Sequence, residues 1–233
     1  MEKITVHGIE IELTKKNIKN IYVSVHSPDG KVKISAPQYM DIDSIRLFAI
    51  SKLSWIKKQQ QKFIDQERQP EREYVSGESH YFLGQRYLLN VIYTNKRKQG
   101  VEIRNNKYID LYVRENTQKY LRERVMIEWY RDKLKELIPP LIAKWEPIMG
   151  VKVYEFGVKM MKTRWGTCNP NAKRIWVNLE LAKKSPICLE YIIVHEMVHL
   201  LEESHNVRFI AYMDKFMPNW RAVKAELNGL IFE

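Results

Sequence analysis

The stretch HEMVHLLEESH, His195 to His205, constrains this chain more than any other. On a helix, His195 and His199 stand four residues apart, so their imidazoles leave one face a turn apart. That spacing lets two ring nitrogens reach a single Zn²⁺ at about 2.0–2.1 Å. Glu196 follows the first histidine and points to one side of the metal, where a carboxylate takes a proton from water rather than binding the ion. Such sites usually have three protein ligands, and His205 is the obvious third. An unbroken helix cannot deliver it, because His205 would lie about 240° around from His199 and roughly 9 Å further along the axis. The helix is therefore expected to stop between Leu200 and Ser204. Glu-Glu-Ser-His-Asn suits a turn, and Ser or Asn there can cap a following helix. Asp214 and Glu226 further along compete for the third position. The surrounding Tyr191 to Val194, Met197, Val198, Leu200 and Leu201 make this an apolar helix, on which two His and a Glu need a partner.

Periodicity organises the rest. Ile4-Val6, Ile9-Ile11-Leu13, Ile21-Val23-Val25 and Val32-Ile34 alternate as half-buried strands do, with a turn at Ser27-Pro28-Asp29-Gly30. From Asp41 to about Gln66 the period becomes helical, through Ile45, Ala49, Leu53, Ile56 and Phe63, with Asp41 or Asp43 as cap. Asp65 to Glu73 is a polar linker or exposed loop containing Pro70. Strands resume at Tyr74, with Tyr81-Phe82-Leu83, then Tyr87 to Tyr93, Val101-Ile103 and Tyr108 to Val113, with a turn at Gly84 and a basic hairpin tip over Asn95–Gly100. Asn116 or Thr117 can cap a long helix that Pro139-Pro140 interrupts. Val151–Lys159 and Ile175–Leu179 read as strands joined through KTRWGTCNPNAKR. Ser185-Pro186 opens the histidine helix, and helices over Val207–Met217 and Trp220 to about Asn228 close the chain. No internal repeat is evident. The strand-rich region, residues 1–115 with one helix near 41–66, gives way to a mainly helical region over 116–233.

The net charge of +11, from 39 Lys and Arg, suits polyanions such as nucleic acid or nucleotides, and equally suits a well-solvated surface. No apolar run approaches the roughly 18–20 residues of a membrane span, so no membrane partner is expected. MEKITVHGIEIELTK lacks the apolar core of a signal peptide. Cys168 and Cys188 are too few for a disulfide framework. These features point to a reduced, cytoplasmic protein.

KNIYVSVHSPDGKVKISAP, YFLGQRY, TRWGTC, HEMVHLLEESHN and MPNW, in that order over nearly the whole chain, resemble the YgjP-like metal-dependent hydrolases. That family is grouped with the SprT-like and WLM zinc proteases. The resemblance implies an α+β chain whose helical half is a zincin-like metallohydrolase domain carrying a HExxH active-site helix. It implies His195, His199 and His205 as zinc ligands and Glu196 as the base of a metallopeptidase. The offset from His195 to His205 equals that in metzincins, but Glu202 stands where their glycine would, so the chain is not read as one of them. Met217 in MPNW reads as a core methionine.

Arg164, in the KTRWGTC stretch, fits two roles. In one, its loop leads to an edge strand, Ile175–Leu179, above the metal, where an extended peptide pairs by β-augmentation while Arg164 stabilises an oxyanion or grips a carboxylate or phosphate. In the other, the stretch is a tight turn that needs Gly166, with Trp165 as a core anchor. Cys168 reads as a buried small residue. His7, His26 and His80 have no metal spacing, and Phe209, Tyr212 and Phe216 form a core stripe.

The chemistry expected is therefore zinc-assisted hydrolysis with Glu196 as base and Arg164 as a candidate catalytic partner. A peptide or protein substrate comes first. A nucleoside triphosphate cleaved at a phosphoanhydride is the alternative that the basic KTRWGT and NAKR segments suggest, although no Gly-rich phosphate cradle is present. A third possibility is a nucleic-acid-binding module with structural zinc, which would need four protein ligands.

Overall fold

Two short turns of one kind set the strand pattern. His7-Gly8 has φ values of 46° and 79°, and Leu83-Gly84 has 49° and 81°. Paired left-handed residues form the two-residue turn whose twist matches that of antiparallel strands. The first turn joins β1 (Glu2–Val6) to β2 (Ile9–Lys16), and the second joins β5 (Ser79–Phe82) to β6 (Gln85–Tyr93). The computed structural model describes residues 2–26, 30–65, 72–95 and 98–229. The turn expected at Ser27–Asp29, most of the expected linker and part of the basic tip lie outside them.

The likeness of the two regions goes further. With β3 (Tyr22–His26) and β4 (Lys31–Pro37), the first sheet has the order β1-β2-β4-β3. With β7 (Gly100–Arg104) and β8 (Tyr108–Val113), the second has the order β5-β6-β8-β7. In both, the second strand runs parallel to the fourth, and the third lies antiparallel on the outside. The chain thus contains a repeat of topology that its sequence does not display. Val6, Ile11 and Leu13 fill the buried positions that Phe82, Tyr87 and Leu89 fill in the second copy, so burial is kept while residue type is not. The basic segment before β7 is not the tip of a β6–β7 hairpin, because β8 lies between those strands.

The first sheet is covered by α1 (Ile42–Ser51) and α2 (Leu53–Asp65), which break at Lys52 what reads in sequence as one helix. Asp41 caps α1, its carboxylate accepting the Ser44 N–H at 2.7 Å. Ile45, Ala49 and Ile56 share a core with Ile11, Leu13 and Ile34.

The second sheet shares its core with the helices that follow it. Leu89, Ile109 and Leu111 belong to one buried cluster with Met126, Leu134 and Ile138 of α3 (Lys119–Met149). The chain divides into two compact units, Met1–Pro70 and Glu71–Phe232. Pro139-Pro140 does not interrupt α3. The missing N–H donors are offset by burial of Leu134, Ile138, Ile142 and Trp145 on the helix's inner face. The residue before α3 is Gln118, with no side-chain cap bond, and the Thr117 hydroxyl instead donates to the Arg114 carbonyl.

A third sheet has the order β10 (Gly166–Asn169), β11 (Arg174–Asn178), β9 (Glu155–Lys159). The strand expected at an edge, Ile175–Leu179, is thus the central one. The edge beside the histidines is β10, within the stretch read as a loop. The side chain of Asn169 accepts the Ala172 N–H at 3.0 Å, and Lys173 takes φ 46°, which folds the segment back into a hairpin. Helices α4 (Pro186–Val198), α5 (Val207–Phe216) and α6 (Trp220–Gly229) complete an α+β chain, strands first and helices later. No described helix is long and apolar enough to cross a membrane.

Candidate metal centre and active-site cleft

Helix α4 is buried through Leu189, Ile192, Ile193, Val194 and Met197. It ends at Val198, just before the expected window, with His199 as its C-cap. The N–H groups of Leu200 and Leu201 bond back to Met197 and Val198 at 3.0 and 2.9 Å, so the last turn tightens as it stops. His199 remains one turn below His195. The chain then reverses, and Asn206 caps α5 by accepting the Phe209 N–H at 3.1 Å. This reversal returns His205 to the helix: its Nε2 lies 3.0 Å from Nε2 of His195.

His195, His199 and His205 offer ligand atoms that all lie within 4.8 Å of one another. The 3.0 Å between two of them is close to the roughly 3.3 Å expected of two nitrogens sharing one tetrahedral zinc. Nδ1 of His199 lies 3.2 Å from the Glu202 carbonyl, which orients its Nε2 towards the cluster. Nδ1 of His195 is buried without a hydrogen-bond partner, so this imidazole lacks the outer support usual for a ligand. Phe209 packs against all three rings, at centroid distances of 4.9, 4.8 and 4.6 Å. Burial pushes His195 down to about 3, helped by His199, His205 and Lys224, and burial lowers His199 as well. Both rings are neutral at pH 7 with a lone pair free, as a divalent metal requires. The residues fit the ion that the motif implies. The competing carboxylates are engaged elsewhere: Asp214 with Arg221 and the Trp220 indole, Glu226 with the Ser185 hydroxyl at 2.6 Å.

Glu196 is 4% exposed. Burial pushes its carboxyl up to about 8, while Arg164 pulls the other way, as a cation at the histidines would too. The histidines and Glu196 line a cleft of about 720 Å³. One wall is Arg164 to Cys168, including the start of β10, and another is Lys224, Leu227 and Asn228 of α6. The Trp165 indole donates to the Asn228 side chain at 3.3 Å, tying these walls together.

Arg164 is exposed on the cleft, and its loop is held by buried Asn178. The Asn178 amide donates to the carbonyls of Arg164 at 2.7 Å and Met161 at 2.9 Å, and its backbone N–H donates to Trp165 at 2.9 Å. The loop so braced presents Arg164 to the cleft, while Gly166 lies in strand β10 rather than in a tight turn. Cys168 lines the cleft half-buried, and burial pushes its thiol up to about 12. Met217 is buried in the core.

Sequence reasoning did not single out Asn178, Lys224 or the site role of Phe209. Only Phe209 had a signal, as part of the apolar stripe on α5. The other two lie far from the motif in sequence.

Comparison with curated proteins gives no match. Among solved structures, the metallopeptidase zymogen of Pyrococcus abyssi abylysin is similar over 39% of this chain and 90% of that one, with 17% identity and a TM-score of 0.36. The model of the family described as YgjP-like, metallopeptidase domain, matches residues 19–230. With the match spanning almost the whole chain, this protein belongs to the YgjP-like metallopeptidase family.

Proposed function

We propose that the chain is a zinc-dependent peptidase in which His195, His199 and His205 hold the metal and Glu196 moves the proton. One observation carries this reading. Three imidazoles converge beside a buried carboxylate, and among the described residues the cluster has no fourth donor. A closed structural site would have four protein ligands, whereas three leave room for substrate.

Zinc held there would supply Lewis acidity to the scissile carbonyl and to the attacking water. The carboxylate of Glu196 takes the proton from that water and passes it to the leaving amine. Arg164, on the same cleft, offers N–H donors to the oxygen on which negative charge develops. The outer edge of β10, Gly166–Asn169, is suited to pair with an extended peptide, so backbone hydrogen bonds align the substrate above Glu196.

The test is incubation of zinc-loaded protein with casein, a peptide mixture and a panel of nucleoside triphosphates, with and without chelator. Peptide cleavage that chelator stops is the expected result. Glu196→Gln should abolish it while elemental analysis still finds zinc. Loss of metal in that variant would make Glu196 a ligand or structural residue, and hydrolysis of a triphosphate without any peptide cleavage would overturn the peptidase reading.

A further inference from the structure

Two cations face the cleft from different elements, Arg164 from the loop before β10 and Lys224 from α6. Lys224 is not a side chain that merely passes by. Its ammonium stands 5.6 Å above the Trp220 ring, Trp220 stacks on Tyr191 at 6.5 Å and 8°, and Tyr191 meets His195 edge-on at 5.9 Å. That chain of rings holds Lys224 beside the histidine helix. Helix α6 is itself anchored by buried Val223 and Leu227.

Neighbouring cations spend their charge elsewhere. Arg221 pairs with Asp214, and Lys183 pairs with Glu180. Among the described residues, no ion pair or hydrogen bond joins Lys224 or Arg164 to a carboxylate, although Arg164 acts on buried Glu196 through space. Of the carboxylates on the cleft, Glu196 is buried beneath β10, and Glu203 lies on the turn after His199. Two cations without a bonded carboxylate, beside the histidine cluster, draw anions in. The cations also differ in kind: a guanidinium grips a carboxylate in two-pronged fashion, and an ammonium acts as a point charge. Tyr191 and Leu227 supply apolar wall for the methylenes of a bound side chain.

We propose that Lys224, with the charge of Arg164 adding to the field, forms a carboxylate-recognition subsite, so that the preferred substrates are peptides with a carboxylate near the scissile bond. The inference rests on the peptidase reading. Two sources carry the same chemistry, an Asp or Glu side chain and the peptide's own C-terminus. Glu203, on the other element of the cleft, disfavours acidic residues at its own position and so gives the preference a direction.

The experiment uses the zinc-loaded full chain and peptides that differ only in one central residue, Glu, Gln or Lys, each with a free or an amidated C-terminus. Cleavage sites are read by mass spectrometry, and kcat/KM is compared within pairs. For wild type, the amidated Glu peptide should exceed its Gln counterpart roughly tenfold or more. Lys224→Met should bring that ratio near one, Lys224→Arg should keep most of it, and Lys224→Glu should invert it in favour of the Lys peptide. If the preference instead follows the free C-terminus and Lys224→Met removes it, the recognised carboxylate is the terminal one. Zinc content and thermal melting of each variant show that it folds. Equal cleavage of Glu and Gln peptides, free and amidated, or a preference untouched by Lys224→Glu, overturns this proposal and leaves the peptidase reading standing. If no peptide is cleaved, both fall.

Discussion

A Cβ placed on Gly166 would fall 2.5 Å from Oε1 of Glu196 and 2.8 Å from its Cγ. The edge strand and the buried carboxylate are therefore pressed together with no room for a methyl group. Glu196 is itself buried, as are its neighbours Val194, Met197 and Val198, so its Cγ has little space to retreat. This contact couples β10 to the Glu196 carboxylate, and the first prediction comes from it.

Gly166→Ala should displace the Glu196 carboxylate by a fraction of an ångström to an ångström. On the proposed mechanism kcat should fall by about 10- to 100-fold, since misplacement on that scale is known to cost that much. Zinc content should be unchanged, because the atoms that a Cβ there would meet first are those of Glu196. Steady-state kinetics with metal analysis checks this, and a wild-type kcat would mean the carboxylate moves aside harmlessly.

Metal removal should destabilise the chain as a whole. An ion bound only by the folded state adds about 2.7 kcal/mol at a hundredfold excess over its Kd. For a chain of this size that corresponds to a Tm shift of roughly 5–10 °C. Calorimetry with and without chelator should show the shift in wild type, with one zinc per chain. His195→Ala and His199→Ala should abolish both the stoichiometry and the shift. If the variants bind zinc as tightly as wild type, the cluster is not its site.

His80 predicts a pH dependence unrelated to the metal. It is 2% exposed, packed near Tyr74 at 5.5 Å, with Glu78 3.3 Å from Nε2. Burial pushes it down to about 4, Arg72 and Lys183 push the same way, and Glu78 opposes. As pH falls, the unfolded chain takes this proton first, near its ordinary value of about 6.5. The stability contributed by neutral His80 is thus complete above about pH 6.5 and is lost as pH falls towards 4. The loss should be on the order of 2–3 kcal/mol. Urea unfolding at pH 7.5 and pH 4.5 reads it. In His80→Leu the drop between those pH values should shrink by about that amount, and an unchanged drop would refute the assignment.

Several features of the chain were readable because they are local. The four-residue spacing of His195 and His199 on an apolar helix is set by helical geometry alone, and so is the need for a break before His205. Alternation in the first forty residues marked four strands because side-chain direction has period two in any strand. Asp41 as a cap and Asn206 as the start of α5 follow from short side chains satisfying nearby N–H groups.

What tertiary structure decided is what depends on partners distant in sequence. Periodicity says that β6 and β7 are strands and cannot say that β8 lies between them, so the matching strand orders of the two sheets are invisible in residue types. Pro139-Pro140 breaks helices locally, yet α3 runs through because its buried face outweighs two missing hydrogen bonds. KTRWGTC carries no sign that its last residues form the edge strand, since an edge is defined by which strand is absent beside it. Gly166 reads as a turn glycine, and only the approach of β10 to α4 gives it another reason to be glycine, the space that Glu196 occupies. Lys224 lies on a helix whose own pattern is ordinary. Its place beside His195 comes from the stacking of Trp220 on Tyr191, a contact between helices that no spacing along the chain encodes.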